Sequence, residues 1–126
     1  MAKYQVRTKT LTLPRPNNLQ PSLENTALKL MEEAGELAGA ITRFKDAQQR
    51  ARSRQQGLPG VAEDEELLAQ RSAAARAIAD ELLDVAQTAV TMMFVLEEDF
   101  GVDLEEALEE HVSKLVCKGY IRLESN

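Results

Sequence analysis

The sequence lacks the residues that cross-link small proteins and has few of those that stack on nucleic-acid bases. Its 126 residues include one cysteine, Cys117, and no tryptophan, and aromatic residues make up only 4%. A single cysteine excludes an intramolecular disulfide framework and a zinc site built from cysteines. The scarcity of aromatic side chains argues against a surface that binds nucleic acid by base stacking.

Long apolar runs are also missing. No stretch of about 20 apolar residues is present, so we expect no membrane span. Residues 1–16 are polar and basic and contain no apolar segment of the kind found in secretory signals. The cytoplasm is therefore the expected location.

The overall charge is negative. Asp and Glu number 21 against 15 Lys and Arg, which gives a net charge of −6. Binding to nucleic-acid phosphates needs a positive surface, so we expect no nucleic-acid partner. Residues 1–16 and 43–54 are locally basic and can still attract a small anion.

Familiar phosphate-binding and nucleophilic motifs are absent. Neither GxxxxGK[ST] nor GxGxxG occurs, so a bound phosphate has to be held by a metal ion and by cationic side chains. No Ser-His-Asp or Cys-His arrangement is visible either, and a covalent intermediate is not expected.

Composition and apolar spacing predict an all-α fold. Ser22 is a suitable N-cap for a first helix, in which apolar residues recur every three or four positions. A breaker at residues 57–60 separates it from a second helix, predicted for residues 63–99 and ended by Gly101. The apolar stripe of the first helix consists of Leu23, Ala27, Leu30, Ala34, Leu37, Ile41 and Phe44.

A third helix and an assembly follow from two further patterns. Asp103 and Glu106 form a capping pair, which predicts a helix that ends near Lys118. Residues 85–96, VAQTAVTMMFVL, are apolar on nearly every side, which is typical of a helix that is buried all round. One hairpin does not bury such a helix. We therefore predict an antiparallel helical hairpin plus a third helix, assembling into an oligomeric four-helix-type bundle as a homo-oligomer, a dimer or a tetramer.

Two acidic clusters lie on the predicted hairpin, one on each helix. At about 100° per residue, Glu33 and Glu36 lie about 60° and 120° from the centre of their apolar stripe. Glu81 and Asp84 lie at the same angles on the second helix. Both pairs are equally distant in sequence from residues 57–60, which places them level at about 35 Å from the turn. Two antiparallel helices then bring both pairs to one face of the hairpin.

Four carboxylates beside an apolar wall repel one another and lose hydration, which is costly. A divalent cation with oxygen ligands relieves both effects, and Mg²⁺ is the natural candidate, with Mn²⁺ as a substitute. Such an ion accepts phosphate oxygens, so the pattern favours phosphoryl chemistry. The competing interpretation is that these acids only solvate helix surfaces, but the matched angles and heights favour the metal site.

Residues 29–38, KLMEEAGELA, together with residues 81–85, ELLDV, resemble the MazG-like family of the all-α nucleoside triphosphate pyrophosphohydrolase superfamily. The resemblance covers residues 22–120, which we take as the domain, between an extended N-terminal arm at residues 1–21 and a C-terminal tail at residues 121–126. It implies Mg²⁺-dependent cleavage of a nucleoside triphosphate, such as a dNTP or an unusual NTP, between the α and β phosphates. The products would be the monophosphate and pyrophosphate.

The resemblance also implies roles for individual residues. The four carboxylates of the two clusters would be the metal ligands, and Glu32 would bind a second ion or help to activate water. Lys114 and Lys118 occupy positions where the family carries phosphate contacts, in a stretch where His111 replaces an asparagine. Lys29 lies on the carboxylate face and either contacts phosphate or pairs with an acid four residues on.

Two alternatives stay open at this point. One is a non-catalytic helical oligomer or adaptor whose acidic face is solvated. The other stays within the superfamily and is a dUTP/dCTP or phosphoribosyl-ATP pyrophosphohydrolase.

Overall fold

The structure, a computed structural model, describes residues 6–57 and 65–122. Within these ranges the chain is all-helical and has no strand: α1 covers Leu23–Gly57, α2 covers Glu65–Phe100 and α3 covers Leu104–Cys117. α1 and α2 pack against each other along their lengths. The all-α class is confirmed, and the oligomeric assembly stays a prediction. None of the described helices is long and apolar enough to cross a membrane.

A reciprocal pair of hydrogen bonds starts α1. The amide of Asn25 donates to Ser22 Oγ at 3.1 Å, and the amide of Ser22 donates to Asn25 Oδ1 at 2.8 Å. This arrangement satisfies backbone donors that the first helical turn leaves without partners, and it confirms Ser22 as the N-cap. The helix continues unbroken to Gly57, a length of about 52 Å. Residues 58–64, which include most of the predicted breaker, lie outside the described ranges.

A short turn at residues 101–103 joins α2 to α3. Gly101 has a φ of +65°, a left-handed conformation that glycine adopts without strain, and its amide donates to the carbonyl of Glu97 at 3.2 Å. The amide of Glu106 then donates to Asp103 Oδ1 at 3.1 Å, which caps α3. Both predicted boundaries are confirmed, and Gly119, with a φ of +79°, follows the end of α3.

The seam between α1 and α2 is narrow and largely built from small or polar residues. On α1 the buried residues recur every seven positions, and Ala40 is the most buried at 1% exposure. This seam lies on the carboxylate side of the predicted apolar stripe, so Glu33 sits inside the seam rather than beside it. Among the described side chains, the buried residues are Thr26, Glu33, Ala40 and Ala47 on α1, and Thr88, Thr91 and Val95 on α2.

The apolar stripes are therefore only partly covered within one chain. Leu30 and Leu37 are half-buried and Ile41 is 41% exposed. Residues 85–96 are mostly half-buried rather than buried all round, and Met93 is 43% exposed. The single hairpin does not bury this segment all round, as expected for one chain, because small residues, not the large apolar ones, face the partner helix. Burial in an oligomer stays a prediction.

Candidate metal centre

The structure brings together the four carboxylates that the sequence pointed to. Each of the four residues offers one carboxylate oxygen, and these oxygens all lie within 4.8 Å of one another. Two come from adjacent turns of α1 and two from adjacent turns of α2, as residues three apart on a helix should. Glu33 is buried, Glu81 is half-buried, and Glu36 and Asp84 are exposed. The cluster is thus rooted in the seam and open on one side.

One lysine partly neutralises the cluster. Lys29 Nζ lies 2.9 Å from Glu33 Oε1 and 3.9 Å from a carboxylate oxygen of Glu32. The side chain of Glu33 is only 7% exposed whereas that of Lys29 is 54% exposed, so the ion pair joins a buried carboxylate to a solvated lysine. Of the two roles considered for Lys29, the structure shows the ion pair.

The pKa values of neighbouring acids in the cluster are shifted in opposite directions. The hydrogen bond from Lys29 holds the pKa of Glu33 below its ordinary value. The resulting negative charge on Glu33 is the main cause that raises the pKa of Glu36, and a hydrogen bond to Glu33, burial and the charge of Glu81 act in the same direction. The hydrogen bond to Glu33 likewise raises the pKa of Lys29. Of these two neighbouring acids on α1, Glu36 is therefore the one whose protonated form the surroundings favour.

Two carboxylate oxygens of the cluster lack the hydrogen bonds that buried polar atoms normally make. Within the described residues, Glu33 Oε2 and Glu81 Oε2 are buried and have no hydrogen-bond partner. Buried carboxylate oxygens without partners are costly, and repulsion between the acids adds to the cost. An all-oxygen donor set that is short of positive charge fits a hard divalent cation such as Mg²⁺. The residues present therefore fit a metal ion of this class.

A cleft of about 420 Å³ adjoins the cluster and shares Glu33 and Asp84 with it. Its volume lies within the range of small-molecule sites in proteins. From α2 it is lined by Gln87, Thr88 and Thr91, and its remaining walls come from the start of α1 and from the segment that precedes α1. The cleft therefore extends the carboxylate cluster with a surface of mixed polarity.

Of the other predicted site residues, Glu32 lies beside the four carboxylates, and Lys114 and Lys118 lie apart from them. The side chain of Glu32 is 61% exposed and points its carboxylate toward Lys29, one residue from Glu33 in sequence. Lys114, on α3, and Lys118, at its C-cap, are exposed and line a separate depression with Glu109, Glu110, Ser113 and Cys117. In the single chain these two lysines do not line the cleft beside the carboxylates.

The polar residues of α2 that line the cleft were not identified from the sequence. Thr88 Oγ1 donates to the carbonyl of Asp84 at 2.9 Å, and Thr91 Oγ1 donates to the carbonyl of Gln87 at 2.8 Å, so both buried hydroxyls are satisfied. A signal was present, because Gln87, Thr88 and Thr91 are the only polar residues in the apolar segment 85–96. They lie three, four and seven residues after Asp84, which places them on its side of the helix.

The match to a known family has the same extent as the helical part of the chain. The family model described as the MazG nucleotide pyrophosphohydrolase domain matches residues 21–118. Neither the comparison with curated proteins nor that with solved structures gives a match. Because the matched segment covers most of the sequence and contains the whole carboxylate cluster, the chain belongs to the MazG nucleotide pyrophosphohydrolase domain family.

Proposed function

We propose that the protein is a Mg²⁺-dependent nucleoside triphosphate pyrophosphohydrolase, with Mn²⁺ as a possible substitute metal and residues 22–120 as its catalytic domain. The observation that carries the proposal is the convergence of four carboxylate oxygens within 4.8 Å, two of the four residues having a buried oxygen without a partner. Membership of the family supports the reaction class. Substrates in the proposal are dNTPs or unusual NTPs.

The ligands of the metal in this proposal are two residues from each helix of the hairpin. A cation bound there would neutralise charge on the phosphate oxygens and lower the pKa of the attacking water. The chain supplies the rest: rigid helices fix the positions of the four carboxylates, and burial in the seam keeps water from part of the cluster. The proposed ligands are Glu33, Glu36, Glu81 and Asp84.

The reaction adds one water across the α–β anhydride bond of the triphosphate. The bond between the α phosphorus and the bridging oxygen, or between that oxygen and the β phosphorus, breaks as the water oxygen forms the new P–O bond. One proton of the water passes to a carboxylate, for which we propose Glu32, because it is exposed beside the cluster and held near Lys29. The nucleoside occupies the adjoining cleft.

Cationic side chains offset the charge that develops on the departing pyrophosphate. Lys29 is close to the cluster but already paired with Glu33. Lys114 and Lys118 are exposed at the C-terminal end of α3. In the proposal they reach the polyphosphate in an assembled homo-oligomer, where α3 of one copy approaches the site of another. Lysine supplies this charge as a point cation without the planar fork of arginine.

The proposal is tested by measuring pyrophosphate release from a panel of nucleoside triphosphates that differ in base and sugar, with and without Mg²⁺. We expect release only with the metal. Glu36→Gln and Asp84→Asn should each lower kcat/KM on the order of 100-fold or more, because each removes a charged metal ligand but keeps the shape of the side chain.

Asp80→Asn provides the matched control. Asp80 is an exposed acid on α2, one residue from Glu81, and it pairs with Arg76 at 3.0 Å outside the cluster. This variant should keep near-normal activity. Full activity in Glu36→Gln and Asp84→Asn, or release that is independent of metal, would contradict the assignment.

A further inference from the structure

The segment before α1 is fixed to α2 by residues far away in sequence. We call residues 14–21 the arm segment. The guanidinium of Arg15 donates to both carboxylate oxygens of Glu98, from Nε at 2.7 Å and from Nη2 at 2.9 Å. This two-point geometry fixes orientation as well as distance. A third donor, Nη1, reaches the carbonyl of Pro16 at 2.9 Å, so one side chain holds both α2 and its own backbone.

Further contacts hold the two ends of the arm segment. At its start, Gln87 Nε2 donates to the carbonyl of Pro14 at 2.8 Å and to Thr91 Oγ1 at 3.2 Å. At its end, Asn25 Nδ2 approaches the carbonyl of Gln20 at 3.4 Å. Three of the four prolines of the chain lie at positions 14, 16 and 21, where they restrict the backbone further. The arm segment is therefore held against α2 and the start of α1 by hydrogen bonds along its length.

The arm segment forms one side of the cleft beside the carboxylates. Pro16, Leu19 and Pro21 line it on this side, and the threonines of α2 line it on the other. Glu98 lies fourteen residues beyond Asp84, about 21 Å along α2, so it is remote from the carboxylate cluster. A wall that is already ordered spares the substrate the entropic cost of ordering it on binding.

We propose that the arm segment is the wall that selects the nucleoside part of the substrate, and that Arg15 and Glu98 are positioning residues that hold this wall in place. The inference rests on the proposed function, since it assigns the cleft to the nucleoside of the hydrolysed triphosphate. Selection follows from shape: a fixed apolar wall facing polar threonines admits some bases and sugars and rejects others, whereas a loose wall adapts to all.

The test separates substrate binding from chemistry. In Arg15→Ala and in Glu98→Ala, we expect KM for the preferred nucleotide to rise about 3- to 10-fold while kcat stays within about 2-fold. The spread of kcat/KM over the nucleotide panel should narrow. The thermal shift caused by Mg²⁺ alone should stay unchanged, because the carboxylates are untouched. The charge exchange Arg15→Glu with Glu98→Arg should restore part of the lost selectivity.

Arg76→Ala is the matched control, since it breaks an exposed Arg–Asp pair on the same helix without touching the arm segment. It should change neither KM nor selectivity. An unchanged KM and an unchanged spread in Arg15→Ala would overturn the inference, as would a loss confined to kcat or an equal effect of Arg76→Ala. If the wild-type protein hydrolyses no nucleotide of the panel, the proposed function itself fails, and that outcome is distinct from active variants with unaltered selectivity.

Discussion

At the scale of single residues, the surroundings shift the pKa values of two acids of the carboxylate cluster in opposite directions. Glu33 is paired with Lys29 and buried, while Glu36 faces the charge of Glu33 and has a raised pKa. The convergence of these acids was predictable, because helical periodicity alone places residues three apart on one face. The depth of Glu33 was not predictable, because the stripe of large apolar residues suggested a different contact face.

The raised pKa of Glu36 predicts how pH affects the metal-free protein. The folded state holds the proton on Glu36 more tightly than the unfolded state does, so this group stabilises the fold at low pH. That contribution is lost as pH rises through the raised pKa. A divalent cation bound at the cluster would compete with the same proton. The rise in Tm caused by Mg²⁺ or Mn²⁺ should therefore be largest above the raised pKa of Glu36 and shrink as the pH falls through it.

Thermal melts over a pH range that spans this pKa, with and without each metal, check the prediction. Glu36→Gln is the informative variant, since it removes the titrating group and a proposed ligand together. It should remove the part of the pH dependence of Tm that comes from Glu36, and most of the metal-induced shift. A protein whose Tm ignores both metals at every pH would instead match the non-catalytic helical oligomer with a solvated acidic face.

At the scale of elements, the boundaries of the helices follow from local chemistry and the sequence predicted them well. The Ser22 and Asp103 caps and the left-handed Gly101 are short-range signals that need no tertiary context. The arm segment could not be predicted in the same way. Its contacts join residues 73 and 83 positions apart, from Pro14 to Gln87 and from Arg15 to Glu98, and no periodicity encodes such pairs.

Replacing glycine by alanine should change the free energy of unfolding in opposite directions at two positions. Gly35 lies inside α1, and a Cβ added there meets no atom within 4 Å. Gly35→Ala should raise the free energy of unfolding by about 0.5–1 kcal/mol, because alanine restricts the unfolded chain and favours helix. Gly101 has a φ of +65°, a conformation that is strained for alanine. Gly101→Ala should therefore lower the free energy of unfolding by about 1–2 kcal/mol. Urea denaturation of both variants measures the two changes, and equal signs would refute the argument.

At the scale of the whole molecule, one hairpin leaves much apolar surface in water. Ile41, Leu82 and Met93 are 41%, 53% and 43% exposed, and the large apolar residues of both helices are mostly half-buried. Apolar periodicity in a sequence records all the surface that becomes buried, including surface covered by another copy. A homo-oligomer would therefore account for a predicted stripe that the single chain covers only in part.

We expect this half-covered surface to hold a homo-oligomer together. Light scattering after gel filtration should give a mass that is a multiple of 14.0 kDa. Ile41→Glu should shift the population toward the monomer, because it places a charge in the middle of the apolar stripe. Thr42→Glu adds the same charge to the next residue, which is exposed and outside the stripe, and it should leave the mass unchanged. A monomeric wild-type protein would rule out the assembly.

The alanine at the middle of the hairpin has a consequence for the metal. Ala40 is the most buried residue of α1 and lies one helical turn, about 6 Å, from Glu36. Its small side chain lets the two helices pack closely. Ala40→Leu should therefore increase the distance between α1 and α2 near the carboxylates. Mg²⁺ affinity, measured by calorimetry, should then fall although every ligand is intact, whereas Ala40→Gly should leave it nearly unchanged. In the proposed metal site, the affinity for the ion would then depend on a seam residue, Ala40, that is not itself a ligand.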